Sequence, residues 1–341
     1  MMITPRKDSD GKMEQKMMAL LVRLSGNSGP YVPYLNWQQN TWDYIIDNAP
    51  KAKINTILLD VNDGLEFASH PEIAVKGAWT RNKLRIELAR CQERGLTVIP
   101  KLNFSACHSH WMGVYHRMMS TPTYYKVCND LIKEVYELFN HPAYMHIGMD
   151  KEDAVHAKCY AFGIFRQGEL YWHDLRFLID CVADTGAMPW IWSCPLFDHP
   201  EEFKKHVAPH EVIISPWNYN AIRPEHWTPV ESRAEYVAYY NEGEYASMGI
   251  KFVEEDPFLV KFREIALPLL KEGYLYVPCA SVYNRCKYNH MDLLEYFKEN
   301  APDDQIIGYL SAPWFKTIKE NEPYFDETFE QFSEAIEMFY N

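Results

Sequence analysis

The chain has 341 residues, 47% hydrophobic and 15% aromatic, with 34 Lys and Arg against 47 Asp and Glu and a formal net charge of −13. Such a balance repels a phosphate backbone, and with no Lys/Arg run to release counterions, nucleic acid is excluded as a partner. No stretch approaches the roughly 20 apolar residues of a membrane span, and the polar N-terminus lacks a signal-peptide core, so the sequence reads as globular, cytoplasmic unless a signal peptide has been removed, and without a membrane partner.

From Ala19 onward, short apolar runs alternate with helix-length amphipathic stretches, the pattern of βα units around a parallel sheet. Eight runs are predicted as strands, at 19–24, 54–61, 96–103, 144–149, 188–194, 212–217, 274–280 and 306–311. Between them a helix over 80–94 is closed by Gly95, and Thr121-Pro122 opens another that runs to Asn140. A third, over 168–185, stops at Gly186, and a last helix over 324–340 closes the ring. Residues 250–253 are strand-like but lie between helical stretches and are assigned to a loop. Eight such units predict a (β/α)8 TIM barrel, an α/β fold, over an open doubly wound sheet, since no G-x-G-x-x-G follows the first strand. No repeat, low-complexity tract or linker is present, so the simplest division is a polar extension over 1–18 and one barrel domain over 19–341.

The eight cysteines (Cys91, Cys107, Cys128, Cys159, Cys181, Cys194, Cys279 and Cys286) are scattered, with no C-x-x-C pair, and read as reduced thiols.

Catalytic residues in this architecture sit at the C-terminal ends of strands, and those positions are rich here. Strand two ends Asp60-Val61-Asn62-Asp63, strand three runs on from Asn103 to His108, His110 and Trp111, and strand four ends Asp150-Lys151-Glu152-Asp153. Later strands end at Trp192, Trp217, Tyr283 and Trp314. Any one of these aromatics is as readily a cap on the barrel, but their recurrence around a few carboxylates suits a carbohydrate, whose C–H faces pack on rings. Asp150 and Glu152 are two apart, so a strand continued through both puts them on one side, a pair fit for glycoside cleavage. Alone, D-K-E reads more simply as a solvated acidic loop. The H-x-H of His108 and His110 could ligate a metal with Asp60, Asp63 or Asp150, but pocket hydrogen bonding is the plainer role, and neither metal nor cofactor is assigned. No G-x-S-x-G occurs, and Cys107 beside His108 lacks a confirming pattern for a nucleophile.

Several of these segments resemble the family-20 glycoside hydrolases, the β-N-acetylhexosaminidases. The run from Asn55 to Gly64 is similar to that family's second strand, where the position of Asp60 is usually His and the later Asp is kept, here Asp63. The run from Arg94 to Asn103, followed by His108, resembles V-I-P-E-I-D-x-P-G-H, and His146-Ile147-Gly148-Met149-Asp150 resembles H-I-G-G-D-E. Trp314 is similar to the Trp of a last-strand W-x-E. The resemblance implies a retaining, substrate-assisted mechanism in which Asp150 orients a 2-acetamido group that attacks the anomeric carbon, with the next residue as the general acid. That next residue is Lys151; Lys101 and Lys316 likewise stand where the family carries Glu, and Asn103 replaces an Asp.

A lysine cannot inherit the acid's role, since its reference pKa is about 10.4. The resulting expectation is a glycoside hydrolase for a terminal sugar, with Glu152 as general acid and Asp150 as its partner. Trp192, Trp217, Tyr283 and Trp314 would form the wall, and Asp63, Asn103 and His108 would bind hydroxyls. The alternatives are a carbohydrate-binding barrel without turnover, in which Lys151 marks the lost acid, and a metal-dependent barrel hydrolase or isomerase.

Overall fold

A computed structural model describes residues 15–25, 31–150, 152, 165–223, 226 and 257–340. Lys151, Cys159 and the strand-like run 250–253 lie outside the described residues. The strands are β1 (Met17–Arg23), β2 (Thr56–Asp60), β3 (Thr97–Lys101), β4 (Tyr144–Gly148), β5 (Met188–Trp192), β6 (Ile213–Ser215), β7 (Leu275–Tyr276), β8 (Cys279–Ala280) and β9 (Gly308–Ser311). They form one parallel sheet in the order β7-β6-β5-β4-β3-β2-β1-β9-β8.

Parallel strands are covered on both faces, which is why they read as nearly continuous apolar runs. The period of two still sorts them. Met17, Ala19 and Leu21 of β1 join Leu58, Ile99, Trp190, Trp192, Ile213, Leu275 and Leu310 in an inner cluster. Met18, Leu20 and Val22 point the other way, into a larger cluster with Ile57, Leu59, Ile147 and the helices. The sheet therefore curls with its inner face packed on itself.

Two differences from the predicted strands have local causes. The first strand begins at Met17, not Ala19, because Met17 and Met18 are already buried on opposite faces. The run predicted over 274–280 is divided into β7 and β8 by Val277 and Pro278, where proline has no N–H to give the ladder. The divided run still links its neighbours: the Val277 N–H donates to Ile214 O (3.0 Å), and the N–H groups of Ile307 and Leu310 donate to Tyr276 O and Pro278 O, each at 2.9 Å.

Helix ends follow the sequence closely. Thr80 accepts from the Lys83 N–H (3.1 Å), and Thr121, followed by Pro122 in the first turn, accepts from Tyr124 (3.3 Å). Gly95 and Gly186 end their helices with positive φ. The last helix, Glu322–Tyr340, buries Phe325, Phe329, Phe332 and Ile336. Of the seven cysteines among the described residues, all but Cys194 are buried. No helix among the described residues is long and apolar enough to cross a membrane.

Candidate functional site

The inward-facing residues at the C-terminal ends of the first four strands are polar. Arg23, Asp60, Lys101 and His146 are successive register partners across β1, β2, β3 and β4. Lys101 and Asp60 form an ion pair of 2.8 Å with side chains 0% and 2% exposed. His146 is fully buried, with rings of Trp192 and Trp190 at 4.7 and 5.1 Å. Burial, followed by the neighbouring Lys101 charge, pushes its pKa well below the usual range against a weaker pull from Asp150, so the ring is neutral. Its Nδ1 accepts the Gly148 N–H at 3.0 Å.

Above this layer the chain of β4 turns sharply. Gly148 and Met149 both have positive φ, 78° and 62°, and the β4–β5 register slips between His146 and Gly148. A Cβ at Gly148 would lie 2.1 Å from Asn103 Oδ1, so only glycine fits. The turn delivers Asp150 to the loop after β3. There the Asp150 N–H donates to Ser105 Oγ (2.7 Å), the Ser105 hydroxyl lies against the Asp150 carboxylate, and Asn103 Nδ2 donates to it at 3.4 Å. His108 Nε2 stands 3.4 Å from the other carboxylate oxygen. Asp150, Asn103 and His108, picked from sequence, are thus brought together, with Ser105 as a member that sequence reasoning passed over.

Glu152 goes elsewhere. The strand stops before Asp150, so the alternation that would place both carboxylates on one side does not apply. Glu152 accepts from the Ala106 N–H (2.5 Å) and the Arg166 N–H (3.1 Å) and is ion-paired with the Arg166 guanidinium. Arg166, 1% exposed, also reaches Asp174 (3.2 Å) and Phe104 O (2.9 Å). Burial acts against the guanidinium charge, but Glu152 and the other neighbours outweigh it and hold the pKa well above the ordinary value. Asp174 is lowered: hydrogen bonds from Tyr125 and Ser120 and the Arg166 charge overcome its burial. Glu152 therefore pins the loop that carries Ser105, a loop anchored again where Trp111 Nε1 donates to Asn103 O (2.7 Å).

The aromatic wall is partly assembled as expected. The rings of Trp192 and Trp314 lie 5.5 Å apart, Trp314 Nε1 donates to Tyr219 OH (2.8 Å), and the Tyr219 ring is tilted against Trp217 at 5.0 Å. Burial raises the Tyr219 pKa well above its usual value and keeps the phenol protonated. Tyr283 stands apart, 55% exposed, with Phe315 at 6.3 Å. Asp63 is fully buried and accepts from Ser25 Oγ. Of the H-x-H pair, His108 faces Asp150 while His110 stacks on His116 at 4.3 Å. Among the described residues the grouping with metal-ligand spacing is Glu169, Glu202 and His206, which includes neither. Tyr219 and Arg23, whose Nη1 donates to Trp314 O (3.3 Å), also frame the site; Arg23 ends the first strand, and that position was the available signal.

No family model matches the sequence, and no curated protein matches it. Solved structures do. A family-20 β-N-acetylglucosaminidase superposes with a TM-score of 0.58 at 14% identity, over 95% of this chain and 70% of that one. The fold is family-20-like. The β-N-acetylhexosaminidase of Bacteroides fragilis gives 0.61 at 13% identity, over 93% of this chain and 65% of its own. A mutant Streptomyces plicatus β-hexosaminidase in complex with its product GlcNAc gives 0.60 at 13%, over 94% and 63%. The chain spans about two thirds of the length of these relatives.

Proposed function

We propose that the protein is a glycoside hydrolase-like (β/α)8 barrel, one domain over 19–341, that engages a terminal N-acetylhexosamine. In this reading 274–280 act as a single seventh strand closing the ring. The observation that carries the function is the Asp150 carboxylate, held by Ser105 and Asn103 beside His108 at the strand ends. An ionised carboxylate so fixed is suited to accept the N–H of a 2-acetamido group and turn its carbonyl oxygen toward the anomeric carbon. Trp192, Trp217 and Trp314 provide the wall against which the group packs, Asn103 and His108 reach hydroxyls, Tyr283 lies at the rim, and Asp63 braces the turn after β2. For Glu152 to donate a proton it must exchange Arg166 for the leaving oxygen. The reading therefore expects aryl glycosides with good leaving groups to be cleaved faster than sugar–sugar linkages, which need an acid.

The second reading, binding without turnover, is favoured by the Glu152–Arg166 pair itself. Incubation with 4-nitrophenyl N-acetyl-β-glucosaminide and with N,N′-diacetylchitobiose, beside calorimetry with N-acetylglucosamine, separates the two. Release of nitrophenol that Asp150→Asn abolishes supports hydrolysis. Saturable binding with no product supports the second reading, and neither binding nor release refutes both.

A further inference from the structure

Beneath Asp150 runs a connected set of groups on the second and third strands and the loops that follow them. Lys101 holds one oxygen of Asp60 at 2.8 Å, and Asn62 Nδ2 donates to the other at 2.7 Å. Asn62 Oδ1 accepts the Asn103 N–H at 2.9 Å, and Asn103 Nδ2 reaches Asp150. Asn103 Oδ1 in turn receives the Ser105 N–H at 3.0 Å and lies 2.6 Å from Ser105 Oγ. Every step but that from Asn103 to Asp150 is buried, and Asn62 adopts φ 37°, a conformation uncommon for a residue with a side chain. A strained residue persists where its surroundings over-determine it, and here both ends of the Asn62 amide are engaged.

We infer that Asp60 and Lys101 are positioning residues: the ion pair orients the Asn62 amide, which sets Asn103 and through it the Asp150 carboxylate. Asp60 fixes which end of the Asn62 amide is the donor, because the carboxylate paired with Lys101 has only acceptors to offer. The Asn62 oxygen is thereby turned to the Asn103 N–H. Lys101, 2.8 Å away, supplies the opposite charge that a carboxylate in this buried position needs. The inference rests on the reading of Asp150 as the group that orients an acetamido function.

Two double variants separate positioning from plain stability, since replacing a buried ion pair by neutral groups often leaves a fold intact. Asp60→Asn with Lys101→Met retains an acceptor for Asn62; Asp60→Leu with Lys101→Met does not. On 4-nitrophenyl N-acetyl-β-glucosaminide the first should keep kcat within about threefold, and the second should lose about 100-fold in kcat with little change in KM, the scale of a small misplacement of a reacting group. Asn62→Gly, which accepts the left-handed φ and leaves the ion pair in place, should reproduce the loss. The Asn103 side-chain amide resonance reads the same chain of contacts without any sugar: it should move in Asn62→Gly and in the Asp60→Leu double variant, and stay in the Asp60→Asn one. Equal kcat in the two double variants, or an unmoved Asn103 signal in Asn62→Gly, overturns the inference. A moved signal in a protein that neither binds nor cleaves the sugar upholds it and refutes the functional reading alone.

Discussion

Replacing Glu152 by Gln keeps the side chain's shape and removes its charge, and so separates a proton donor from a loop anchor. The anchor role has a magnitude set by the surroundings. Glu152 is 9% exposed and shares Arg166, 1% exposed, with Asp174. Removing one partner of a buried pair costs roughly 3–5 kcal/mol when the other charge is left alone. Here Arg166 retains Asp174 and Phe104 O, and Gln can still accept from Ala106, so the expected loss is lower, about 2 kcal/mol. In urea denaturation the midpoint of Glu152→Gln should fall accordingly, while activity on the nitrophenyl glycoside falls by less than about tenfold, below the roughly 10²–10⁴ of a general acid. Unchanged stability together with a loss of about 1,000-fold would refute the anchor role and assign Glu152 the proton transfer.

Gly148→Ala should destabilise by about 2–4 kcal/mol, from the left-handed φ and the overlap with Asn103, and should abolish sugar binding as Asn103 moves; calorimetry with binding intact would contradict the close approach. His290, buried between Gln331 (3.2 Å) and Ser311 (2.7 Å), has its pKa lowered by burial from 6.5 to about 4, with Gln331 opposing. The unfolded chain binds that proton first, so the contribution is fully present above the unfolded value and is lost as pH falls from 6.5 toward 4. It amounts to on the order of 3 kcal/mol. Denaturation at pH 7 and pH 5 should show His290→Gln less sensitive to acid than the parent, and identical sensitivity would remove His290 as the cause.

Strands and helix ends were legible because their causes are local. The apolar runs at β1 and β2, the caps at Thr80 and Thr121 and the stops at Gly95 and Gly186 need only neighbouring residues to be understood. The strand-end position likewise made Asp150, Asn103, His108 and the three tryptophans readable as a group. What failed to show depends on contacts between distant segments. Two left-handed residues in succession at Gly148 and Met149 undo the alternation that placed Glu152 beside Asp150, and the room for them is made by Asn103, 45 residues earlier in the chain. Arg166, the partner that claims Glu152, carries no motif. The division of the 274–280 run was in view as Pro278, but a proline inside an apolar run does not say that the chain on both sides stays in the sheet.

The ion pair of Asp60 and Lys101 also limits which substitutions the inner face of the sheet can accept. A change at either one alone sets two like charges, or one without a counterpart, side by side in a closed interior. Residues 60 and 101 are therefore replaceable only together, although 41 positions separate them in the chain.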